Sequence, residues 1–328
     1  MLSKLDLNYL DSVNNLSIKN LGLTGANPSV ACLIVDYKNN SQGVVLSYGL
    51  TSKSGRPHAE INALNKVSNY QINNQTTLYV SLEPCFKANS CCAKKIISKG
   101  IKRVVISSLD PNPQIYGKGV NFLKSRGVKV LLAGARQNKF KQINKYFYNF
   151  QKNQRPFITL KLAISKNYYS KNLISKNVTQ EETQHYMHKI RLKHDAIIVG
   201  SNTYQEDNPK LNCRLNGIDK KIRPFVLANF KIKSKFPQIK FNISNFENFY
   251  SIINKHKIQS VLIEGGIKTF KNFLINGAFN EVVICQSSKM INKSKKRYKL
   301  DKKLIKNRCK KIDSQEYFKD KIEIYKNV

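Results

Sequence analysis

Short apolar runs alternate along this chain with segments in which apolar residues recur every three or four positions. In the first half, 31–35, 44–48, 77–81 and 103–107 have the length and side chains of buried strands, and Leu131-Leu132 ends another such run after Gly127. Between them, 5–21 reads as a helix. A second helix starting near His58 carries Ile61, Leu64 and Val67 on one face. Strands alternating with helices predict an α/β fold in which a sheet is sandwiched between helical layers.

The pattern restarts in the second half. A polar helix rich in Lys, Asn and aromatics ends around 150–156, where Arg155-Pro156 opens the apolar run 157–163. This gives two domains, 1–152 and 153–328, with no internal repeat and no low-complexity linker. Thr179 followed by Glu181-Glu182 marks a helix start, and that helix runs to about Arg191. Strands are expected at 196–199, 225–227, 260–263 and 281–285, and helices over 246–256 and 267–275.

A length of 328 residues suffices for two cored domains. No stretch is apolar for the roughly 20 residues that a membrane span requires. The opening Met1-Leu2-Ser3-Lys4-Leu5-Asp6 lacks the apolar core and cleavage site of a secretory signal, so a cytoplasmic location is expected. Seven cysteines, two of them adjacent, suit reduced thiols and a metal site better than a disulfide framework. The net charge of +37 raises nucleic acid as a partner. The lysines are nevertheless scattered among Asn and Ile, and only 293–297 and Lys302-Lys303 approach a cluster. We read this as compositional bias: a positive surface that favours phosphorylated substrates, with no specific nucleic-acid partner.

The chemistry is concentrated in Arg56-Pro57-His58-Ala59-Glu60, Glu83-Pro84-Cys85 and Cys92. Displacing an amino group from a ring carbon needs a strong nucleophile and a group that moves protons. One imidazole and two thiolates can hold zinc with a fourth position open, which lowers the pKa of a bound water toward neutrality. A carboxylate two residues after the imidazole, not itself a ligand, can shuttle the protons, and this order matches the H-x-E…P-C-x-x-C signature of nucleobase deaminases. His58 and Cys85 are the expected ligands and Glu60 the expected catalytic acid/base. The third ligand is expected at Cys92, which opens a helix whose first turn would aim it at Cys85; the adjacent Cys91 is a competitor. Six residues separate Cys85 from Cys92 where the signature has two. A cysteine pair at that spacing alone would read as two buried hydrophobes. His-x-Glu and Glu-Pro-Cys in the right order shift the reading to a metal.

With these residues stand Asn27-Pro28-Ser29-Val30, Gly55 through Leu64, Asp110-Pro111-Asn112-Pro113 leading into Gly117-Lys118-Gly119, Asp195 through Gly200, Asp207-Asn208-Pro209-Lys210-Leu211, Arg214 and Glu264-Gly265-Gly266. In that order, over nearly the whole chain, the sequence resembles the bifunctional riboflavin-biosynthesis family. That family deaminates diaminohydroxyphosphoribosylaminopyrimidine and then reduces the ribosyl group of 5-amino-6-(5-phosphoribosylamino)uracil with NADPH. The resemblance implies a three-layer cytidine-deaminase-like N-terminal domain, a dihydrofolate-reductase-like C-terminal domain, Zn2+ and NADPH as cofactors, a phosphorylated pyrimidine as substrate and a homo-oligomeric state. It places NADPH contacts at Ala163, Thr203, Asp207 and the segment from Gly266, and substrate contacts at Ser175, Arg191, Leu211, Arg214 and Glu264. Arg191 and Arg214 suit a ribose phosphate by bidentate pairing, and Gly265-Gly266 lets backbone amides approach cofactor phosphates at a helix start.

The chain departs from the family at several points. Phe86-Lys87 and Asn89-Ser90-Cys91 replace the usual residues between the two cysteines. Lys166-Asn167-Tyr168-Tyr169 follows Ser165, Asn177 stands where the family has Trp, and Ala228 stands where an Asp normally closes a strand. The stretch between Leu227 and Ser260 looks short by a strand–helix–strand unit. The second domain therefore reads either as a minimal working reductase or as one kept for packing and substrate binding. Two other readings compete: a zinc deaminase of cytidine, cytosine or tRNA adenosine, and a nucleic-acid binder with a structural zinc. The long Cys85-to-Cys92 loop and Glu264-Gly265-Gly266 argue against the first, and Glu60 beside an open coordination position argues against the second.

Overall fold

A computed structural model describes residues 1–86, 91–134, 137–171, 178–242, 245–292, 294–295 and 298–328. The chain divides into two units, Met1–Gln154 and Arg155–Val328. Among the described residues, no helix is long and apolar enough to cross a membrane.

The first unit runs α1 (Lys4–Ser17), β1 (Ala31–Asp36), β2 (Val44–Leu50), α2 (Ala59–Leu64), β3 (Thr76–Val80), α3 (Cys92–Ser98), β4 (Arg103–Ile106), α4 (Lys118–Ser125), β5 (Lys129–Leu132), α5 (Gln137–Ile143) and α6 (Lys145–Asn153). Its sheet has the order β2-β1-β3-β4-β5. β1 is antiparallel to both β2 and β3, whereas β3, β4 and β5 are parallel. The side-chain alternation of a strand explains the layers. Cys32, Ile34, Leu78, Val80, Val104 and Ile106 face one way, onto Ala63 and Leu64 of α2, Ile96 of α3 and Leu123 of α4. Ala31, Leu33, Val35, Tyr79 and Val105 face the other way, onto Leu10 and Val13 of α1. Both faces are covered, so these strands read as continuous apolar runs in the sequence.

α1 is tied to the sheet by a buried charge. Ser3 and Asp6 form a capping box, each side chain accepting from the other's backbone N–H, at 3.0 and 2.9 Å. Arg103 at the start of β4 donates to both Asp6 oxygens at 2.9 and 2.8 Å, and the Tyr79 hydroxyl donates at 2.8 Å. Burial alone would raise the Asp6 pKa, but these bonds hold it down at about 2. A carboxylate whose pKa is depressed on folding stabilises above its unfolded value, and that stability is lost as pH falls through the folded value. Asp6→Asn should therefore lower unfolding free energy at pH 7 by about 1–2 kcal/mol, a figure discounted for the partial exposure of Arg103. The gap between wild type and variant should close as pH falls from about 5 toward 2. Urea unfolding of both proteins at several pH values checks this, and a gap independent of pH would refute it.

The second unit contains β6 (Phe157–Ile164), α7 (Glu181–Lys193), β7 (Ala196–Gly200), α8 (Ser201–Asp207), β8 (Arg223–Ala228), β9 (Gln238–Lys240), α9 (Phe246–Lys255), β10 (Ser260–Ile263), α10 (Ile267–Ile275), β11 (Glu281–Gln286), α11 (Lys302–Lys306), β12 (Cys309–Tyr317) and β13 (Asp320–Asn327). The sheet order is β12-β13-β11-β6-β10-β7-β8-β9. The six strands from β11 to β9 are parallel, and β13 and β12 extend one edge as an antiparallel hairpin. Leu160, Ile198, Leu227 and Ile263 pack on Phe249 of α9 and on Phe270 and Phe273 of α10. On the other face, Ile197, Val199 and Val226 meet Tyr204 of α8, and Val283, Cys285 and Ile322 meet Met187 of α7.

α7 begins where Thr179 followed by Glu181-Glu182 marks a helix start. Its N-cap is Gln180, and Asp320 of the hairpin accepts from the Gln180 N–H at 2.9 Å and the Thr183 hydroxyl at 2.8 Å. The hairpin itself went unread because nearly all of β12 is exposed, leaving no apolar period to see. The stretch between Leu227 and Ser260, which looks short, still forms β9 and α9.

Candidate active site

In the first unit the site forms where α2 and α3 begin, at the C-terminal end of β3. α2 can lie against β2 only because position 49 lacks a side chain: a Cβ on Gly49 would stand 2.0 Å from the Ala59 carbonyl oxygen. Asn62 fastens the segment leading into α2, giving its amide to the Leu50 oxygen at 2.7 Å and the Ser52 hydroxyl at 2.9 Å. His58 is the N-cap of α2 and Glu60 lies in its first turn. Cys92 is the first residue of α3.

Three donor atoms converge there. His58 Nδ1 lies 3.5 Å from Cys85 Sγ and 3.4 Å from Cys92 Sγ, and the two sulfurs are 3.6 Å apart. A tetrahedral zinc with Zn–S near 2.3 Å and Zn–N near 2.0 Å puts its sulfurs about 3.8 Å apart and sulfur to nitrogen about 3.5 Å. The donor set and its spacing thus fit that ion. The neighbouring Cys91 is turned away: it caps α3, its sulfur accepting from the Lys94 N–H at 3.4 Å.

The electrostatics suit a cation. A hydrogen bond with Cys92 and the nearby imidazole lower the Cys85 pKa to about 4, and the same sulfur contact raises that of Cys92. The bond to Cys85 in turn raises the His58 pKa. Glu60 is buried, with 3 % of its surface exposed, and its carboxylate is in hydrogen-bonding contact with Cys92. Burial, reinforced by the negative charge on Cys85, pushes Glu60 up to about 7. A carboxyl poised there can both accept and return a proton near neutral pH.

The sequence reading gave Glu83 no separate role, yet it organises the wall of the site. Its buried carboxylate accepts from the N–H groups of Asp110 at 3.2 Å, Gly117 at 3.0 Å, Gly119 at 2.9 Å and Val120 at 3.2 Å. The 110–117 loop and the start of α4 are thereby held beside Cys85. A Cβ on Gly119 would meet the Pro84 oxygen at 2.0 Å, so the approach also needs glycine. Asp110, pushed up to about 6 by burial, completes this wall. A Glu immediately before Pro-Cys, paired with a later Gly-Lys-Gly, was the available signal.

In the second unit, Ala163, Thr203, Glu264 and Gly266 lie at or just past the C-terminal ends of the adjacent parallel strands β6, β7 and β10, where open α/β sheets place their ligands. Thr203 Oγ1 accepts from the Gly266 N–H at 2.7 Å, joining α8 to the start of α10. Arg191 donates through Nε and a terminal nitrogen to both Glu264 oxygens, each at 2.7 Å, and through its other terminal nitrogen to the Asn212 oxygen at 3.0 Å. Burial alone would raise the Glu264 pKa, but Arg191 holds it at about 2. The Arg191 fork is thus engaged by protein. Leu211 is buried among Ile197, Val199 and Tyr204. The Arg214 side chain is exposed, and its N–H donates to His188 Nδ1 at 3.0 Å. Asp207 lies 3.6 Å from the Lys171 ammonium. Ser175 and Asn177 fall outside the described residues, as do Lys293, Lys296 and Arg297 of the basic cluster. The fully buried His194 is a structural bridge between the Ile190 oxygen at 2.8 Å and the Thr159 hydroxyl at 2.9 Å.

Comparison with known proteins covers both units. The cytidine and deoxycytidylate deaminase zinc-binding region matches residues 7–108, and the RibD C-terminal domain matches residues 156–322. The chain is 30% identical over 325 residues to the riboflavin biosynthesis protein RibD of Aquifex aeolicus, covering 89% of each chain. It is 28% identical to the RibD of Bacillus amyloliquefaciens, over 84% of this chain and 82% of that one. Its fold is that of RibD from Acinetobacter baumannii, with TM-score 0.86 at 23% identity over 99% of both chains. It is equally that of the diaminohydroxyphosphoribosylaminopyrimidine deaminase/5-amino-6-(5-phosphoribosylamino)uracil reductase of Thermotoga maritima, with TM-score 0.84 at 24% identity over 99% of both.

Proposed function

Because the chain belongs to the RibD family of riboflavin biosynthesis proteins, we propose that it carries out two successive steps on one phosphorylated pyrimidine. Diaminohydroxyphosphoribosylaminopyrimidine is deaminated, and the ribosyl group of the resulting 5-amino-6-(5-phosphoribosylamino)uracil is reduced with NADPH. The chain is a zinc-dependent deaminase and an NADPH-dependent reductase. Residues 1–152 are assigned to the first activity and 153–328 to the second. The observation that carries the reading is the convergence of His58, Cys85 and Cys92 beside a buried Glu60 that is free of ligand duty.

In the deaminase half, His58, Cys85 and Cys92 would hold the metal. Zinc, when bound, supplies the Lewis acidity that makes water a nucleophile at neutral pH. Glu60 would take one proton from the attacking water and give it to the ring nitrogen, then take the second from the hydroxyl left on the ring carbon and give it to the amino group, which departs as ammonia when the C–N bond breaks. Glu83 fixes the 110–117 loop against which the substrate would lie. In the reductase half, Ala163, Thr203, Asp207 and Gly266 are assigned to the cofactor, and Ser175, Arg191, Leu211, Arg214 and Glu264 to the substrate. NADPH, when bound, supplies the hydride. The task of the chain is to place nicotinamide against sugar, which requires orientation more than a catalytic acid or base. Arg191, already paired with Glu264, is assigned an orienting part through that carboxylate.

Seven unbridged thiols, two of them at the metal site, support a reducing, cytoplasmic setting. The exposed apolar side chains of Val44, Val45 and Tyr48 on the edge strand β2 support self-association into a homo-oligomer. Small-molecule turnover, not nucleic-acid binding, is the assigned activity despite the positive charge.

The test is one assay. Purified protein given the diaminopyrimidine and NADPH should release ammonia and oxidise NADPH in equal amounts. Ammonia without NADPH oxidation would leave only the deaminase, and neither signal would overturn the reading.

A further inference from the structure

Between α8 and β8 the chain runs from 208 to 222 without helix or strand, so its backbone has to be fixed by groups from elsewhere. Leu211 and Arg214, both assigned above to the substrate, lie on this segment. Leu211 is buried against Val199 and Tyr204, yet its backbone is left-handed, with φ at 46°. A bulky side chain disfavours that conformation, which persists only where the surroundings over-determine it.

One turn of α7 supplies the constraint. His188 and Arg191 stand three residues apart, on one face of the helix. Arg191 donates to the Asn212 oxygen at 3.0 Å, the Cys213 thiol donates to the His188 oxygen at 3.4 Å, and the Arg214 N–H donates to His188 Nδ1 at 3.0 Å. Three successive residues of the segment are thereby held on α7. A backbone N–H can only donate, so Nδ1 carries the lone pair and the ring proton sits on Nε2. Burial, with the guanidiniums of Arg191 and Arg214 nearby, lowers the His188 pKa to about 4, which keeps the ring neutral and Nδ1 an acceptor near pH 7.

The two arginines are not equivalent. All three nitrogens of the Arg191 guanidinium are engaged, two by Glu264 and one by Asn212. The Arg214 side chain is exposed, with one terminal nitrogen resting on Asn212 Oδ1 at 2.6 Å. Where that guanidinium points depends on the backbone that bears it. We propose that His188 is a positioning residue of the reductase half: its Nδ1 fixes the Arg214 backbone, so that Arg214, and not Arg191, meets the phosphate monoester of the substrate. The inference rests on the reading above that places Arg214 at the substrate.

Steady-state reduction of 5-amino-6-(5-phosphoribosylamino)uracil by the full-length protein, with ribose 5-phosphate as a competitive inhibitor, tests it. His188→Leu should raise the KM for the aminouracil and the inhibition constant of ribose 5-phosphate by roughly tenfold, with kcat and the KM for NADPH within about twofold of wild type. His188→Asn, whose Oδ1 stands where Nδ1 does, should restore both constants. His188→Gln, whose amide reaches one carbon further, should not. Because His188 acts through Arg214, His188→Leu/Arg214→Ala should be no worse than Arg214→Ala alone. An active enzyme in which His188→Leu leaves both constants unchanged, or in which Gln rescues and Asn does not, would overturn the assignment and leave the substrate reading intact, as would additive losses in the double variant. Arg214→Ala without effect on either constant would overturn the placement of Arg214 at the substrate, and the role of His188 with it.

Discussion

Glu60→Gln is expected to lower deamination by about three orders of magnitude, within the roughly 10²–10⁴-fold range of general acid–base catalysis, while the protein keeps its metal. The amide has the shape of the carboxylate, so α2, His58 at its N-cap and the packing against Gly49 should be undisturbed. What it lacks is a site that can take a proton from water and give it up again. Glu60 is not among the three convergent donor atoms, so metal content measured by atomic absorption should stay near that of wild type. NADPH oxidation with 5-amino-6-(5-phosphoribosylamino)uracil supplied directly should also be unchanged, because that reaction belongs to the other unit. Ammonia release from the diaminopyrimidine is the measurement. Retained turnover would remove Glu60 from the mechanism, and joint loss of metal and turnover would make it a ligand.

Much of this site was legible because its chemistry is written locally. His58 and Glu60 stand two positions apart at the start of α2, and Cys85 and Cys92 seven positions apart, so the order and spacing of these residues signal the cluster. The layers were legible for a similar reason: strands covered on both faces leave unbroken apolar runs such as Ala31–Asp36. What spacing cannot report is a partner distant in sequence. The contact of Glu83 with the 110–120 segment, the anchoring of the start of α7 by Asp320 and the locking of Arg191 onto Glu264 are all interactions of that kind. The β12–β13 hairpin was missed because its outer strand is solvated on both faces and carries no apolar alternation.

The choice between adjacent cysteines yields the second large effect. Cys92→Ser is expected to strip most of the bound zinc and with it the deaminase activity, whereas Cys91→Ser should retain both. Cys92 offers one of three atoms that lie within 3.6 Å of each other, and a serine hydroxyl stays protonated where a thiolate ligand is required. Cys91 sits one residue earlier at the N-cap of α3, where its sulfur receives the Lys94 N–H. Serine is among the preferred residues at that position, so Cys91→Ser should alter stability by no more than about 1 kcal/mol. Both substitutions remove one sulfur from a buried site, so a difference between them isolates ligation from packing. Zinc per chain after exhaustive dialysis, with ammonia release measured on the same samples, decides the matter. If Cys91→Ser loses the metal and Cys92→Ser keeps it, the coordination assigned to α3 is wrong by one residue, and the cap and the ligand exchange roles.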